Sequence, residues 1–445
     1  MSDNDVLPIG SIGAVPAYRD VPTYRMFFGN LHVWEGDGWK AESMSWKTGA
    51  YVAANLTGPA ELTYRGRDAQ AFLSSLSINN VREWPVGTSK HLVMPDENGL
   101  IANHGLAIRD SEDSFRQLAS LPWGVHRLGS AGMDVETSVR EIFILQVAGP
   151  ASLQVLERTL GRDLRDLKFL GIRKVEIAGV EAELELSRIG MAGTLAYEVR
   201  GPFDAGPVVY DAVYRAGKDI GLKRLGWRTY AVNHTEGGFP QANCTFLPSV
   251  LSDEAFMAAY GAGRSTTMSG SVDPTDLRAR YRTPAEVNWD WMAKFDHDFL
   301  GRAAVEAEKA SPRRKTVILR WNAEDILDVF ASHFRPGEEY KYIEFPCAPQ
   351  QIAGGHADLV TKDDEQVGVA SAAVYSYYYR EMLSQCVIDI DQAHIGNKVV
   401  LHWGDHGGRI KEIRATVERF PYLELPSNRD YDLSTVPSGL PAPAR

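Results

Sequence analysis

A strand, a turn and a helix succeed one another twice in this sequence, and that repetition limits the folds open to it. Ala60-Glu61-Leu62-Thr63-Tyr64 alternates in polarity as a half-buried strand does. Arg65-Gly66-Arg67-Asp68 turns the chain, and Asp68 is placed to cap a helix over residues 69–76. Later, residues 141–147 (Glu-Ile-Phe-Ile-Leu-Gln-Val) predict a buried strand, Ala148-Gly149-Pro150 breaks it, and Pro150 starts a helix over 151–160. Two units of one grammar predict two related α+β lobes.

The rest of the chain divides around these units. Residues 1–44 are rich in Pro, Gly and aromatic side chains and predict an arm or cap. The lobes then span 45–140 and 141–270, with a further helix over 203–216. A linker is expected over 271–311, where Gly, Ser, Arg and Pro gather before a short helix at 303–309. Strands at 315–321, 366–373, 386–390 and 398–402 have barrel-like spacing and place a β-barrel at 312–425. The Pro- and Ser-rich tail, 426–445, is expected to pack loosely. At 445 residues the chain is too long for one core.

Composition excludes several functions. A net charge of −11 repels phosphate backbones, so nucleic acid is not an expected partner. Cys244, Cys347 and Cys386 lie far apart, without metal-ligand spacing or an even count for a disulfide framework. The acidic start, Met1-Ser2-Asp3-Asn4-Asp5, is unlike a signal peptide, and no apolar run approaches ~18 residues. No membrane partner and a cytoplasmic location are expected.

Generic catalytic motifs are absent from the sequence, including the P-loop, H-E-x-x-H, G-x-S-x-G and C-x-x-C. His402 and His406 have helical metal spacing but fall on a strand running into a glycine turn. Asp296-His297-Asp298 predicts a hydrogen-bonded cluster, because neighbours on a strand face opposite ways. Tyr375-Ser376-Tyr377-Tyr378-Tyr379 reads as part core, part sheet surface, or as a stacking platform.

Four segments say more. Gly190-Met191-Ala192-Gly193-Thr194-Leu195-Ala196-Tyr197-Glu198-Val199 resembles the G-(Y/M)-x-G-x-x-(G/A)-(F/Y)-E-(I/V) segment of the aminomethyltransferase (glycine-cleavage T-protein) family. Lys294-Phe295-Asp296-His297-Asp298-Phe299-Leu300-Gly301-Arg302 is similar to the family's lead into its C-terminal barrel. Tyr64 to Ala69 matches its G-x-D-A turn, and Gly221 to Arg228 with His234 to Pro240 occupies the place of its G-L-x-A-R-D helix. The four lie in family order and span roughly residues 45–425. Within that family the chain resembles the tetrahydrofolate-dependent aromatic O-demethylases acting on vanillate, 3-O-methylgallate and syringate, above all in Lys294 to Phe299 and in the barrel opening Lys315 to Asn322. The resemblance implies a three-domain α+β fold, two lobes around a central cavity with a C-terminal β-barrel. It also implies tetrahydrofolate as cofactor and a small aromatic substrate; self-assembly into a homo-oligomer stays open.

Residue by residue, the resemblance places Glu198 at the pterin edge, where a carboxylate can accept two parallel hydrogen bonds. Tyr197 is expected to pack against the ring, and Trp227 and Arg228 to lie in the cofactor region, with Arg228 either facing the cavity or paired structurally. Gly58 stands where the relatives carry a histidine, Ser120 where they carry a carboxylate-binding arginine, and Asn103 near the T-protein's acidic position. These changes imply a substrate without a carboxylate there and a different acid or base. Candidates are His104 with Asn103, then Arg67, Lys90 and His91; His104 is otherwise a satisfied structural histidine. Gly58, Ser120 and Phe239 are expected beside the substrate. The arm's Tyr18, Tyr24, Phe27, Phe28, Trp34 and Trp39 either lid the substrate or form a packed extension.

The implied activity is tetrahydrofolate-dependent O-demethylation of a methoxylated, lignin-derived aromatic. A formaldehyde-releasing lyase acting on the hydroxymethyl group of a lignin-type dimer, and a non-catalytic folate-binding regulator, stand as alternatives.

Overall fold

The computed structural model describes residues 6–441 apart from 13–14, 19, 22, 28–29, 55–59, 119–120, 262–266 and 352–354. Two hairpins come first: β1 (Val6–Ile12) with β2 (Val15–Tyr18), and β3 (Thr23–Phe27) with β4 (Asn30–Glu35). Tyr18, Val21 and Val33 are buried in the core of the second lobe, and Tyr18 Oη donates to Asp211 at 3.0 Å. The N-terminal aromatics described are thus a packed extension. Their docking is reinforced by Arg224, whose guanidinium binds Asp20 and Asp37.

Among the described residues ten strands form one sheet. They are β5 (Tyr51–Ala54), β6 (Ala60–Arg65), β7 (Thr88–Pro95), β8 (Ile101–Arg109), β9 (Ser114–Leu118), β10 (Glu136–Ala148), β11 (Ile172–Val175), β12 (Leu184–Ser187), β13 (Ala196–Pro202) and β14 (Lys223–Arg224). The order is β11-β12-β13-β10-β6-β9-β8-β7, with β5 pairing both β10 and β14. The two expected units are here: β6 leads to the helix Ala69–Leu76, and β10 to the helix Ser152–Leu160. Asp68 sits at the first helix's N-terminus, yet its carboxylate accepts from the Asp134 backbone N–H instead of capping.

β10 holds the sheet together. Residues 136–141 pair with β6, and 142–148 pair with β13. Alternation then sorts its side chains. Phe143, Leu145 and Val147 enter the main core with Tyr197 and Val199 of β13. Ile142 and Ile144 pack on the other face, which also carries Gln146. Each such fully buried aliphatic side chain contributes about 1.5–3 kcal/mol.

β15 (Arg314–Trp321), β16 (Ala357–Lys362), β17 (Glu365–Ser376), β18 (Glu381–Asp389), β19 (Lys398–Trp403) and β20 (Lys411–Glu418) close a barrel in the order β15-β18-β17-β16-β19-β20. This is the expected α+β architecture with a C-terminal barrel. The helix Trp227–Gly237 ties the barrel to the sheet: Thr235 Oγ1 donates to the Ala372 carbonyl at 2.8 Å. Glu236 accepts from Ser376 Oγ at 2.6 Å and from Trp46 Nε1 at 3.1 Å, and pairs with buried Lys47.

Two expectations are corrected. The linker expected at 271–311 is a packed wall: Val287, Trp289, Met292, Phe299 and Val305 form one cluster with Ile78, Val93, Ile101 and Phe246. Its apolar residues, spaced among Gly and Pro, have no period that would announce burial. The tail expected to be loose is also anchored. Arg188 donates to the Asn428 carbonyl at 2.7 Å, Asn428 Nδ2 to the Ala196 carbonyl at 2.8 Å, and Val436 is buried in the main core.

Candidate active site

A cavity of about 850 Å³ opens where the sheet, the 287–294 wall and the tail meet, within the usual range for small-molecule sites. Asn103, His104, Glu198, Trp227 and Phe239 line it, as do Lys90 and His91. Tyr197 and Arg228 do not. Gly58 and Ser120 lie outside the described residues.

Glu198 reaches the cavity because β13 alternates. Its backbone pairs with Gln146 of β10, so the two side chains share a face. Arg200 Nη1 lies 3.4 Å from Glu198 Oε2, and Gln146 donates a further hydrogen bond to the carboxylate. Burial pushes this carboxyl up from the ordinary carboxylate range, while Arg200 and Gln146 pull it down. Gln146 is held in turn: its Oε1 accepts from Tyr51 Oη, which accepts from Asn233 Nδ2 at 3.3 Å.

The same alternation turns Tyr197 away. Its ring is fully buried in the main core on the opposite face, so it cannot pack on a ligand in the cavity. Arg228 is also corrected to a structural role. Its guanidinium pairs with Glu35 and donates to the Phe345 carbonyl at 2.8 Å, linking the β4 hairpin to the barrel. Arg67 is exposed at the β6 turn, near Asp134.

Asn103 and His104, adjacent on β8, differ in consequence. The Asn103 amide clasps a backbone: Nδ2 donates to the Leu121 carbonyl, and Oδ1 accepts from the Leu121 N–H, both at 3.1 Å. It fixes the chain after β9. His104 Nε2 accepts from the Ala242 N–H at 3.4 Å, and its Nδ1 lies 3.1 Å from His91 Nε2. Both of its ring nitrogens are thus engaged. Burial lowers the His91 pKa to about 4 and puts His104 well below the ordinary imidazole value, so both rings are neutral near pH 7.

Trp289 lies edge-on to both histidines, with ring centroids 4.7 Å from His91 and 4.9 Å from His104. Phe239 adds a fourth ring, 5.8 Å from Trp289. Gly238 makes this placement possible. It ends the helix Trp227–Gly237 at φ 70°, a conformation L side chains rarely adopt, and a Cβ there would meet Pro421 at 2.6 Å. Trp289 escaped sequence reasoning because it falls in the presumed linker.

Other motif residues are structural. His297 Nδ1 lies 3.0 Å from Asp296 Oδ1 and its Nε2 2.9 Å from the Ser77 carbonyl, the hydrogen-bonded cluster expected. His402 Nε2 binds Thr361 Oγ1 at 2.8 Å. Tyr375 stacks on Phe345 at 4.4 Å, and Tyr377 meets Trp39 edge-on. Among the described residues, no group of three or more His, Cys, Asp or Glu could hold a metal, and no helix is long and apolar enough to cross a membrane.

Known proteins resemble this chain throughout. The GCVT N-terminal domain family matches residues 27–257. A sesamin methylene transferase of Sinomonas sp. is 36% identical over 420 residues, covering 90% of this chain and 92% of that protein. A syringate O-demethylase of Sphingobium sp. is 29% identical, covering 87% and 89%. The aminomethyltransferase T of the glycine cleavage system from Bartonella henselae superposes with a TM-score of 0.66 at 14% identity, covering 93% of this chain and 97% of that one.

Proposed function

Since the chain belongs to the aminomethyltransferase family of tetrahydrofolate-using one-carbon transferases, we propose that it takes a one-carbon group from an ether oxygen of an aromatic substrate in the central cavity. The observation that carries this reading is that Glu198 shares the cavity with the aromatic corner of His91, His104, Trp289 and Phe239.

Tetrahydrofolate suits the donors and acceptors present. A carboxylate offers about four lone-pair sites, and Arg200 and Gln146 occupy only part of that capacity at Glu198. The remainder can take the parallel N–H donors of a pterin edge, with charge assistance. When bound, tetrahydrofolate supplies N5 as the acceptor of the one-carbon group. Trp289 and Phe239 offer edges and faces to the substrate ring. Leu106, Leu118 and Ile144 line the cavity and keep water from the reacting atoms.

The likeness to the sesamin methylene transferase supports a ring carrying a methylenedioxy bridge as substrate. The syringate O-demethylase supports a methoxylated ring as the second reading. Incubating the protein with methylenedioxy- and methoxyarenes, with and without tetrahydrofolate, tests both by mass spectrometry. A catechol with methylenetetrahydrofolate marks the first, and a phenol with methyltetrahydrofolate the second. Formaldehyde released from a methylenedioxyarene equally well without folate would mean that water, not folate, takes the carbon. Formaldehyde released without folate from a lignin-type dimer bearing a hydroxymethyl group would mean that the protein is a lyase.

A further inference from the structure

The hydrogen bonds around His104 fix the protons on both cavity histidines. A backbone N–H can only donate, so His104 Nε2, 3.4 Å from Ala242 N, carries no proton. Neutral His104 therefore holds its proton on Nδ1 and donates it to His91 Nε2 at 3.1 Å. Neutral His91, accepting at Nε2, must in turn hold its own proton on Nδ1. Among the described residues no polar group binds that Nδ1, and it is not among the sealed, unpartnered atoms of the interior. His91 is one of the side chains that line the cavity. The ring cannot readily turn over, being held by His104 on one side and wedged edge-on against Trp289 at 4.7 Å.

We propose that His91 Nδ1–H is the hydrogen-bond donor to the aryl oxygen released in the reaction, and that His104 is the positioning residue fixing its tautomer. This rests on the one-carbon transfer proposed above. As each carbon–oxygen bond breaks its electron pair stays on the aryl oxygen, the carbon is taken by the folate acceptor nitrogen, and the proton that nitrogen carried passes to solvent. The His91 proton remains on Nδ1 and is shared with the new phenolate. A neutral imidazole is too weak an acid to protonate a phenolate outright, so the stabilisation is that of an oxyanion donor, not of proton transfer. Such a donor needs no charge and does not attract a substrate carboxylate, in keeping with a neutral aryl ether.

The probe is 4-nitrocatechol, whose absorbance reports its ionisation without folate or turnover. On binding to the protein its ionisation is expected at lower pH than in free solution. His91→Phe, which keeps a ring but no donor, should abolish that shift and slow turnover of whichever arene the parent accepts by roughly 100-fold. His91→Asn, which keeps an N–H, should restore part of both, and tetrahydrofolate affinity by calorimetry should be unchanged. Should His91→Phe fail to fold by circular dichroism, His104→Phe replaces it and is expected to weaken the shift by freeing the His91 tautomer. An unshifted probe on the parent protein, or parent-like turnover in His91→Phe, overturns the proposal. If no arene turns over but the probe shift is present and lost in His91→Phe, the donor stands and the one-carbon reading falls.

Discussion

Arg200 and Glu198 lie two residues apart on one strand, on one face, with Arg200 Nη1 3.4 Å from Glu198 Oε2. With the Gln146 hydrogen bond, this contact still leaves about half of the carboxylate's roughly four acceptor sites unused, as the proposed folate contact requires. Replacing Glu198 with Gln keeps the shape and removes the charge. Tetrahydrofolate affinity should fall by about 1.5–3 kcal/mol, tenfold or more, by calorimetry. Unchanged affinity in Glu198→Ala would remove this residue from the cofactor site.

Arg200 also bears on the pH range expected for the proposed folate binding. Burial raises the Glu198 pKa and Arg200 opposes that rise. Arg200→Met should let it climb further. In the proposed binding mode the carboxylate is ionised, a form lost as pH falls through its pKa, so folate affinity in the variant should begin to decline at a higher pH than in the parent. Coincident affinity-versus-pH curves would count against the coupling.

Asn103 cannot be exchanged for an acid without loss. In Asn103→Asp the donor to the Leu121 carbonyl disappears and a carboxylate oxygen takes its place. Stability to urea should drop by about 1–3 kcal/mol, and the chain after β9 should exchange its amide hydrogens faster.

Lys47 and Glu236 form a buried pair, both side chains almost wholly enclosed. Burial lowers the Lys47 pKa to about 8 despite the facing carboxylate. Lys47→Met strands the Glu236 charge and should cost about 3–5 kcal/mol in chemical denaturation. The double variant Lys47→Met, Glu236→Gln should be more stable than Lys47→Met alone. The opposite order would mean that the pair contributes little to joining the helix Trp227–Gly237 to its neighbours.

His234 makes stability depend on acid. Burial lowers its pKa to about 4, with its Nδ1 3.1 Å from the Tyr230 carbonyl. The unfolded chain binds this proton near pH 6.5, so between pH 6.5 and 4 the unfolded state holds more protons than the folded one. Stability therefore falls as pH drops through that window, by on the order of 3 kcal/mol for this group. His234→Asn should show a flatter fall in thermal melts from pH 7 to 4.

The alternating strand over residues 60–64, the helix Ala69–Leu76 and most barrel strands were legible because each has a clear period or a turn beside it. β16 and the helix Ala323–Ser332 were not read, the first being short and mixed in polarity. Glu198 was legible through its motif. Tyr197 was misplaced although period-2 alternation already puts it on the other face from Glu198. Arg228 could be read either way, since only the fold brings Glu35 to it. The place of Trp289 and the tautomer proposed for His91 were beyond reach. Both depend on contacts between segments distant in sequence, and on a backbone N–H, that of Ala242, whose direction no side-chain pattern records.

β10 runs unbroken through both halves of the sheet, pairing with β6 over its first part and with β13 over its second. A slip of one residue along β6 would turn Gln146 out of the face it shares with Glu198 and bring Leu145 or Val147 there instead. The partner held beside the cavity-facing carboxylate therefore depends on a pairing made at the far end of β10. Splitting the chain between the lobes would separate Glu198 from the alignment that aims it.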